Sequence, residues 1–127
     1  VWFVRLRAIV SLGKLSDSRA VPSLLRGLTD SNRLVRLRAA EALVGLATDM
    51  APIFEKVVAT RDRYGLHAYL TALENANLKR KLEAELQNPA RMDEETRELL
   101  QGVLQTGALP AQKKRTGEES VPQMVTL

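Results

Sequence analysis

Apolar residues between positions 34 and 46 lie on two opposite sides of a predicted helix. A helix advances about 100° per residue, which places five of them in one stripe: Val35, Ala39, Ala42, Leu43 and Leu46. Three more lie nearly opposite: Leu37, Ala40 and Val44. A helix that is apolar on two sides is packed between neighbours, and small residues along it allow those neighbours to approach closely. The pattern therefore predicts an internal helix of a stacked array.

The same pattern recurs along the chain with a period of 30 to 31 residues. Val4-Arg5-Leu6-Arg7-Ala8 returns 31 positions later, and seven of the twelve positions from Val4 to Leu15 are identical in the second copy. Pro52 follows Pro22 at an offset of 30, which marks a third and more divergent unit. A period of this length is typical of stacked repeat proteins, in which one unit cannot bury its apolar face alone.

Turn residues and caps divide the chain into seven predicted helices. These cover residues 2–15, 21–28, 34–46, 52–59, 64–74, 78–87 and about 93–105. Pro22 is suited to a first helical turn, the polar residues 29–32 to a turn and cap, and Gly107 to a helix stop. Asn77 is expected to cap the helix that starts at Leu78. No strand pattern competes, so the fold class is all-α.

The helices predict one domain over residues 1–109 and a flexible tail over residues 110–127. Within the domain we expect a half-repeat (1–15), a complete repeat (20–46), a divergent repeat (51–75) and two C-terminal helices (77–107). Residues 2–15 correspond to the second helix of the complete repeat, and no first helix precedes them. We therefore expect the chain to be a piece of a longer solenoid.

These two-helix units resemble HEAT repeats over roughly residues 2 to 75. The resemblance rests on Pro22, the turn residue Asp30, the Val35-Arg36 pair and the Ala-Leu run that closes the second helix. Residues 17–22 (Asp-Ser-Arg-Ala-Val-Pro) are similar to the bacterial HEAT-like form, which also occurs in phycobilin lyase subunits. The third unit departs from the pattern, since Gly65-Leu66 replaces the Val-Arg pair.

The resemblance implies a right-handed α-α superhelix, with about three stacked hairpins plus two C-terminal helices, whose second helices line a concave surface. Arg5 and Arg36 resemble the family arginine that bonds turn carbonyls or the turn aspartate. We expect structural roles for nine residues in all: Arg5, Pro22, Asp30, Val35, Arg36, Ala39, Ala42, Leu43 and Pro52.

Composition and charge narrow the function without identifying it. The chain has 19 basic and 15 acidic side chains, a net charge of +4. Residues 1–46 hold eight basic and three acidic side chains, so an anionic partner is expected for this half. The absence of cysteine excludes disulfides and thiolate metal sites. Without an apolar run of about 18 residues, we expect a soluble segment, cytoplasmic by default or part of a membrane-anchored longer protein.

Residues suited to catalysis or metal binding are few. His67 is the only histidine, and because it corresponds to Leu37 we expect it to be packed or to cap a helix, with a functional role as the alternative. Glu94, Glu95 and Glu98 fit a helix start and a solvated face better than an acid/base pair. No phosphate-binding glycine loop or activated serine motif occurs. We expect no enzyme activity, no metal and no cofactor.

The remaining solvent-facing positions of the second helices predict a partner-binding strip on the concave surface. Its members are Phe3, Arg7, Val10, Lys14, Leu34, Arg38, Glu41 and Tyr64. Mixed aromatic, aliphatic and arginine side chains suit protein recognition, which favours a scaffold or adaptor that binds a protein, for example an acidic one. The alternative is nucleic-acid binding through Arg7 and Arg38, which otherwise are ordinary solvated charges, and a bilin-lyase-like activity is a distant third.

Overall fold

The computed structural model describes residues 1–46, 49–88 and 92–110. In these residues the chain forms seven α-helices and no strand: α1 (Trp2–Leu15), α2 (Val21–Leu28), α3 (Arg33–Val44), α4 (Met50–Ala59), α5 (Arg63–Asn75), α6 (Lys79–Leu86) and α7 (Glu94–Thr106). A short 3-10 turn, Ser18–Ala20, leads into α2. The predicted all-α fold class is confirmed.

The helices pack as an α-solenoid in which equivalent helices lie side by side. The second helices form one row, with α1 against α3 and α3 against α5. The first helices lie behind them, α2 on α3 and α4 on α5, and α6 and α7 pack against α4. The core runs continuously between the rows, and Leu24, Leu43, Phe54 and Leu73 are among its fully buried side chains.

Two glycines allow helices of different units to approach closely. A Cβ on Gly27 would lie 2.6 Å from Cδ1 of Ile9, so α2 could carry a side chain there only if the Ile9 side chain moved. A Cβ on Gly65 would lie 2.9 Å from the backbone oxygen of Leu28, at the end of α2. This close contact gives a physical reason for glycine in the third unit at the place where the Val-Arg pair is missing.

Side-chain caps define the starts of α3 and α5. Oδ1 of Asn32 accepts hydrogen bonds from the backbone N–H groups of Leu34 (2.9 Å) and Val35 (3.2 Å) at the start of α3. Oδ1 of Asp62 does the same for α5. Pro22 is the second residue of α2, and Pro52 is the third residue of α4. Both prolines therefore lie in a first helical turn. Because a capping residue lies within a few positions of the N–H groups that it binds, the starts of such helices can be predicted from the sequence.

Helix α4 receives its cap from another helix. Oε1 of Glu85, on α6, accepts hydrogen bonds from the backbone N–H groups of Met50 and Ala51, both at 2.9 Å. A carboxylate is favourable there because the N–H groups and the helix dipole make this end of α4 positive. The contact joins the third unit to the C-terminal helices.

The prediction that Asn77 caps the next helix is wrong. Asn77 has a φ of 59° and ends α5, since the backbone N–H of Leu78 returns to the carbonyl oxygen of Leu73 at 3.0 Å. Asparagine tolerates the left-handed conformation that such a helix end requires. Helix α6 starts without a side-chain cap.

Ala42 belongs to the apolar stripe for which packing between neighbouring helices is predicted, and this prediction is wrong for Ala42 in that the residue is only half-buried. Its Cβ faces Gly13 of α1, where an added Cβ would lie 3.0 Å away. Since glycine leaves this side of α1 bare, the contact is open to solvent along one edge. Ala39 and Leu43 are fully buried on the neighbouring side of α3.

Candidate functional site

The eight predicted strip residues are all exposed and lie on the second helices α1, α3 and α5. We call this surface the exposed strip: Phe3, Arg7, Val10, Lys14, Leu34, Arg38, Glu41 and Tyr64. Its apolar members are Phe3, Leu34 and Tyr64, which occupy equivalent positions in successive units, and Val10 on α1. The packing of α1 on α3 and of α3 on α5 brings these equivalent positions side by side.

The charges of the exposed strip are unevenly distributed between α1 and α3. Nη1 of Arg38 lies 2.9 Å from Oε1 of Glu41, so these two residues of α3 neutralise each other. Within the described residues, Arg7 and Lys14 of α1 have no such partner. They are seven positions apart, about 10.5 Å along one helix face. The uncompensated positive charge of the strip therefore lies on α1.

A groove of ≈ 260 Å³ runs between α1 and α3 in the middle of the exposed strip. Residues of both helices line it: Ile9, Val10, Gly13, Lys14, Arg38, Glu41, Ala42 and Gly45. Its floor is formed by small or apolar residues and its rim by charged ones. The half-burial of Ala42 follows directly from its place in this floor.

The exposed strip narrows at α5. Ala68 and Thr71, which are equivalent to Arg38 and Glu41, are buried and half-buried, so Tyr64 is the main contribution of this helix. The Tyr64 ring is held by two guanidinium groups, Arg36 at 5.3 Å and Arg63 at 4.9 Å from the ring centroid. Cation–π contacts of this kind reduce the freedom of an exposed aromatic side chain.

Two arginines tie the second helices to the turns. Arg36 donates from Nη1 to the backbone oxygens of Asp30 (2.9 Å) and Ser31 (3.1 Å) in its own unit. Arg5 instead reaches the turn of the following unit, where Nε and Nη2 donate to the two carboxylate oxygens of Asp30 at 2.6 and 3.0 Å. The hydrogen bond from Arg5 is the main reason that the pKa of Asp30 is lowered.

An apolar face of α1 outside the exposed strip also reaches solvent. Val4 is 59% exposed whereas its equivalent Val35 is fully buried, and Leu15 is 70% exposed whereas Leu46 is 6% exposed. In α3 this side packs against α2. Sequence reasoning did not single out this face, although the 31-residue offset was the signal that could have found it.

His67 is exposed, so the expectation of a packed or capping histidine is wrong. It lines a cavity of ≈ 270 Å³ with residues of α5 and α7, including Leu70 and Leu104. The reason is that α7 packs against α6 and α4 and leaves this space beside α5. Leu37, in contrast, is half-buried in the row of second helices.

Groups that could hold a metal ion are not found among the described residues. Glu94 and Glu95 lie in the first turn of α7, and Glu94 pairs with Arg97 within that helix. In the core, the Tyr69 ring stacks on Phe54 with centroids 5.9 Å apart, and burial raises the pKa of its hydroxyl. Glu94 and Glu95 thus lie at a helix start, and Tyr69 lies in the packed core.

In a comparison with protein families, residues 2–74 match the HEAT-repeat model. Searches of curated proteins and of solved structures find no match. In the part of the chain that the structure describes, every helix is too short or too polar to cross a membrane. The family match covers more than half of the sequence and coincides with the stacked helices α1 to α5. The chain belongs to the HEAT-repeat family.

Proposed function

We propose that this chain is a non-catalytic scaffold that binds an acidic protein partner on the exposed strip. HEAT repeats commonly mediate protein interactions. The observation that carries the proposal is the arrangement of apolar side chains on adjacent helices beside two cations of α1, Arg7 and Lys14, which have no ion-pair partner among the described residues. Aromatic and aliphatic anchors supply affinity in protein interfaces, and charges near the rim raise the association rate and select the partner.

The charge pattern favours a protein over a nucleic acid. Nucleic-acid surfaces usually carry clustered basic side chains that face successive phosphates. In the exposed strip, Arg38 already forms an ion pair with Glu41, and the Glu41 carboxylate would itself repel a phosphate. Two unpaired cations separated by apolar residues match an acidic segment that also carries apolar side chains.

The experiment compares two double charge reversals with the same change in net charge. Arg7→Glu with Lys14→Glu alters the exposed strip, and Lys56→Glu with Lys81→Glu alters exposed positions on α4 and α6. Each variant and the unchanged chain capture proteins from an extract of the source cells. The captured protein is then purified and titrated against each variant. We expect binding to weaken about tenfold or more for the strip variant only.

Two results would contradict this function. One is equal affinity of the strip variant and the unchanged chain for the purified partner. The other is capture that disappears after nuclease treatment and falls steeply with salt, which would indicate nucleic acid instead. Urea unfolding of all variants checks that the substitutions, all at exposed positions, change stability by no more than about 0.5 kcal/mol each.

A further inference from the structure

We propose that the groove between α1 and α3 holds one large apolar side chain of an acidic segment of the partner. This inference rests on the proposed function and adds to it the feature that selects the segment. The groove is lined by the half-buried residues Gly13 and Ala42, with the exposed residues Val10 and Gly45 beside them. The choice of partner segment would then depend on groove residues that lack large side chains.

The size of the groove fits a side chain. Its volume is ≈ 260 Å³, below the range of about 300–1,000 Å³ for small-molecule sites. The absence of a side chain at Gly13 allows α1 and α3 to approach closely beneath the groove, because an added Cβ on Gly13 would lie only 3.0 Å from Cβ of Ala42. Hot-spot side chains of protein partners typically occupy pockets near the centre of an interface.

The next pair of second helices lacks the feature that opens this groove. Val44 stands in α3 where Gly13 stands in α1, and it is 6% exposed. The valine side chain therefore packs in the core at the equivalent place between α3 and α5. Glu41 replaces the apolar wall residue Val10. The groove between α1 and α3 is thus a local feature of the sequence rather than a property of each repeat.

Charge complementarity indicates what surrounds the anchor side chain. Lys14 lies at the rim of the groove, and Arg7 lies on the same face of α1, two turns earlier. Two carboxylates about 10 Å apart would face them both. That spacing corresponds to residues i and i+7 of a helix, which lie on the same helix face. The occupant is therefore an acidic peptide segment with one large apolar residue between its carboxylates.

The test uses a phage-displayed library of random 16-residue peptides as its probe. Peptides are selected on the unchanged chain and counter-selected on Gly45→Leu, which fills the groove. Gly45 is exposed and has a φ of −80°, and its nearest atom to an added Cβ is the Glu41 carbonyl oxygen at 3.3 Å. Gly102→Leu is the matched control, because Gly102 is an exposed glycine of α7 with nothing within 4 Å of an added Cβ.

The selected peptides are then labelled and titrated by fluorescence anisotropy. We expect Asp or Glu on both sides of a Leu, Phe or Trp. Replacing that apolar residue by alanine, or using Gly45→Leu, should weaken binding at least tenfold. Gly102→Leu should bind like the unchanged chain. The peptide substitution leaves the protein untouched, so it tests the groove even if Gly45→Leu disturbs folding.

The outcomes separate this inference from the proposed function. If Arg7→Glu with Lys14→Glu weakens binding but Gly45→Leu and the alanine peptide do not, the groove inference is wrong and the strip function stands. If none of these changes weakens binding, both are wrong. A library that yields no peptide dependent on the unfilled groove also overturns the inference.

Discussion

Asp30 is the residue through which α1 is held to the turn between α2 and α3. Its carboxylate accepts both hydrogen bonds from Arg5 and one from the backbone N–H of Asn32 at 2.8 Å. The Asp30 side chain is 10% exposed, whereas that of Arg5 is 45% exposed. The hydrogen bonds favour the ionised carboxylate, so the pKa of Asp30 is lowered in the folded chain.

The lowered pKa predicts that this contact depends on pH. A carboxyl group with a folded pKa below its unfolded value of about 3.9 stabilises the fold above that pH, and the stabilisation is lost as the pH falls through the folded pKa. Arg5→Gln should therefore lower the urea midpoint near pH 6 and have a diminishing effect towards about pH 2. Arg7→Gln is the control, since Arg7 has no ion pair among the described residues. An Arg5→Gln effect that stays constant with pH would contradict the prediction.

At the scale of the element, α1 and α3 show how environment separates two nearly identical sequences. Seven of twelve aligned residues are identical, yet α3 is packed between α1, α2 and α5, and α1 has one apolar side in solvent. Burial, not residue type, sets the contribution of each leucine or valine to stability. The same substitution can therefore be compared at equivalent positions that differ mainly in burial.

Leu46→Ala and Leu15→Ala form such a pair. Leu46 is 6% exposed and Leu15 is 70% exposed, so we expect a loss of about 2–5 kcal/mol for the first and about 0.5 kcal/mol or less for the second. Urea unfolding followed by circular dichroism measures both. Equal losses would show that residues 2–15 are covered in solution in a way the structure does not contain.

The sequence predicted most helix bounds because the signals are local. Stops such as Gly107 and caps such as Asn32 act within a few residues of the helix that they limit, and the 30 to 31 residue period indicates which helices are equivalent. The prediction for His67 failed because of distant packing, since α7 does not cover this side chain. The prediction for Asn77 failed for a local reason, because asparagine suits the left-handed end of a helix as well as its start. The Arg38–Glu41 pair and the bond from Arg5 into the next unit became visible only in the structure.

At the scale of the whole molecule, the exposed strip lies mostly on the basic half of the chain. Residues 1–46 carry five more basic than acidic side chains, whereas residues 47–110 hold eight basic and ten acidic ones. A field of this shape would orient an acidic partner towards α1 and α3 before contact. The alternatives of nucleic-acid binding and bilin-lyase-like activity stay predictions from the sequence.

Backbone amide NMR of the chain with a selected acidic peptide shows where the peptide binds without any substitution in the protein. We expect chemical-shift changes concentrated at Val10, Gly13, Lys14 and Gly45, with little change in α6 and α7. Shifts concentrated instead on the apolar face around Val4 and Leu15, on α7 or in residues 111–127 would contradict this expectation.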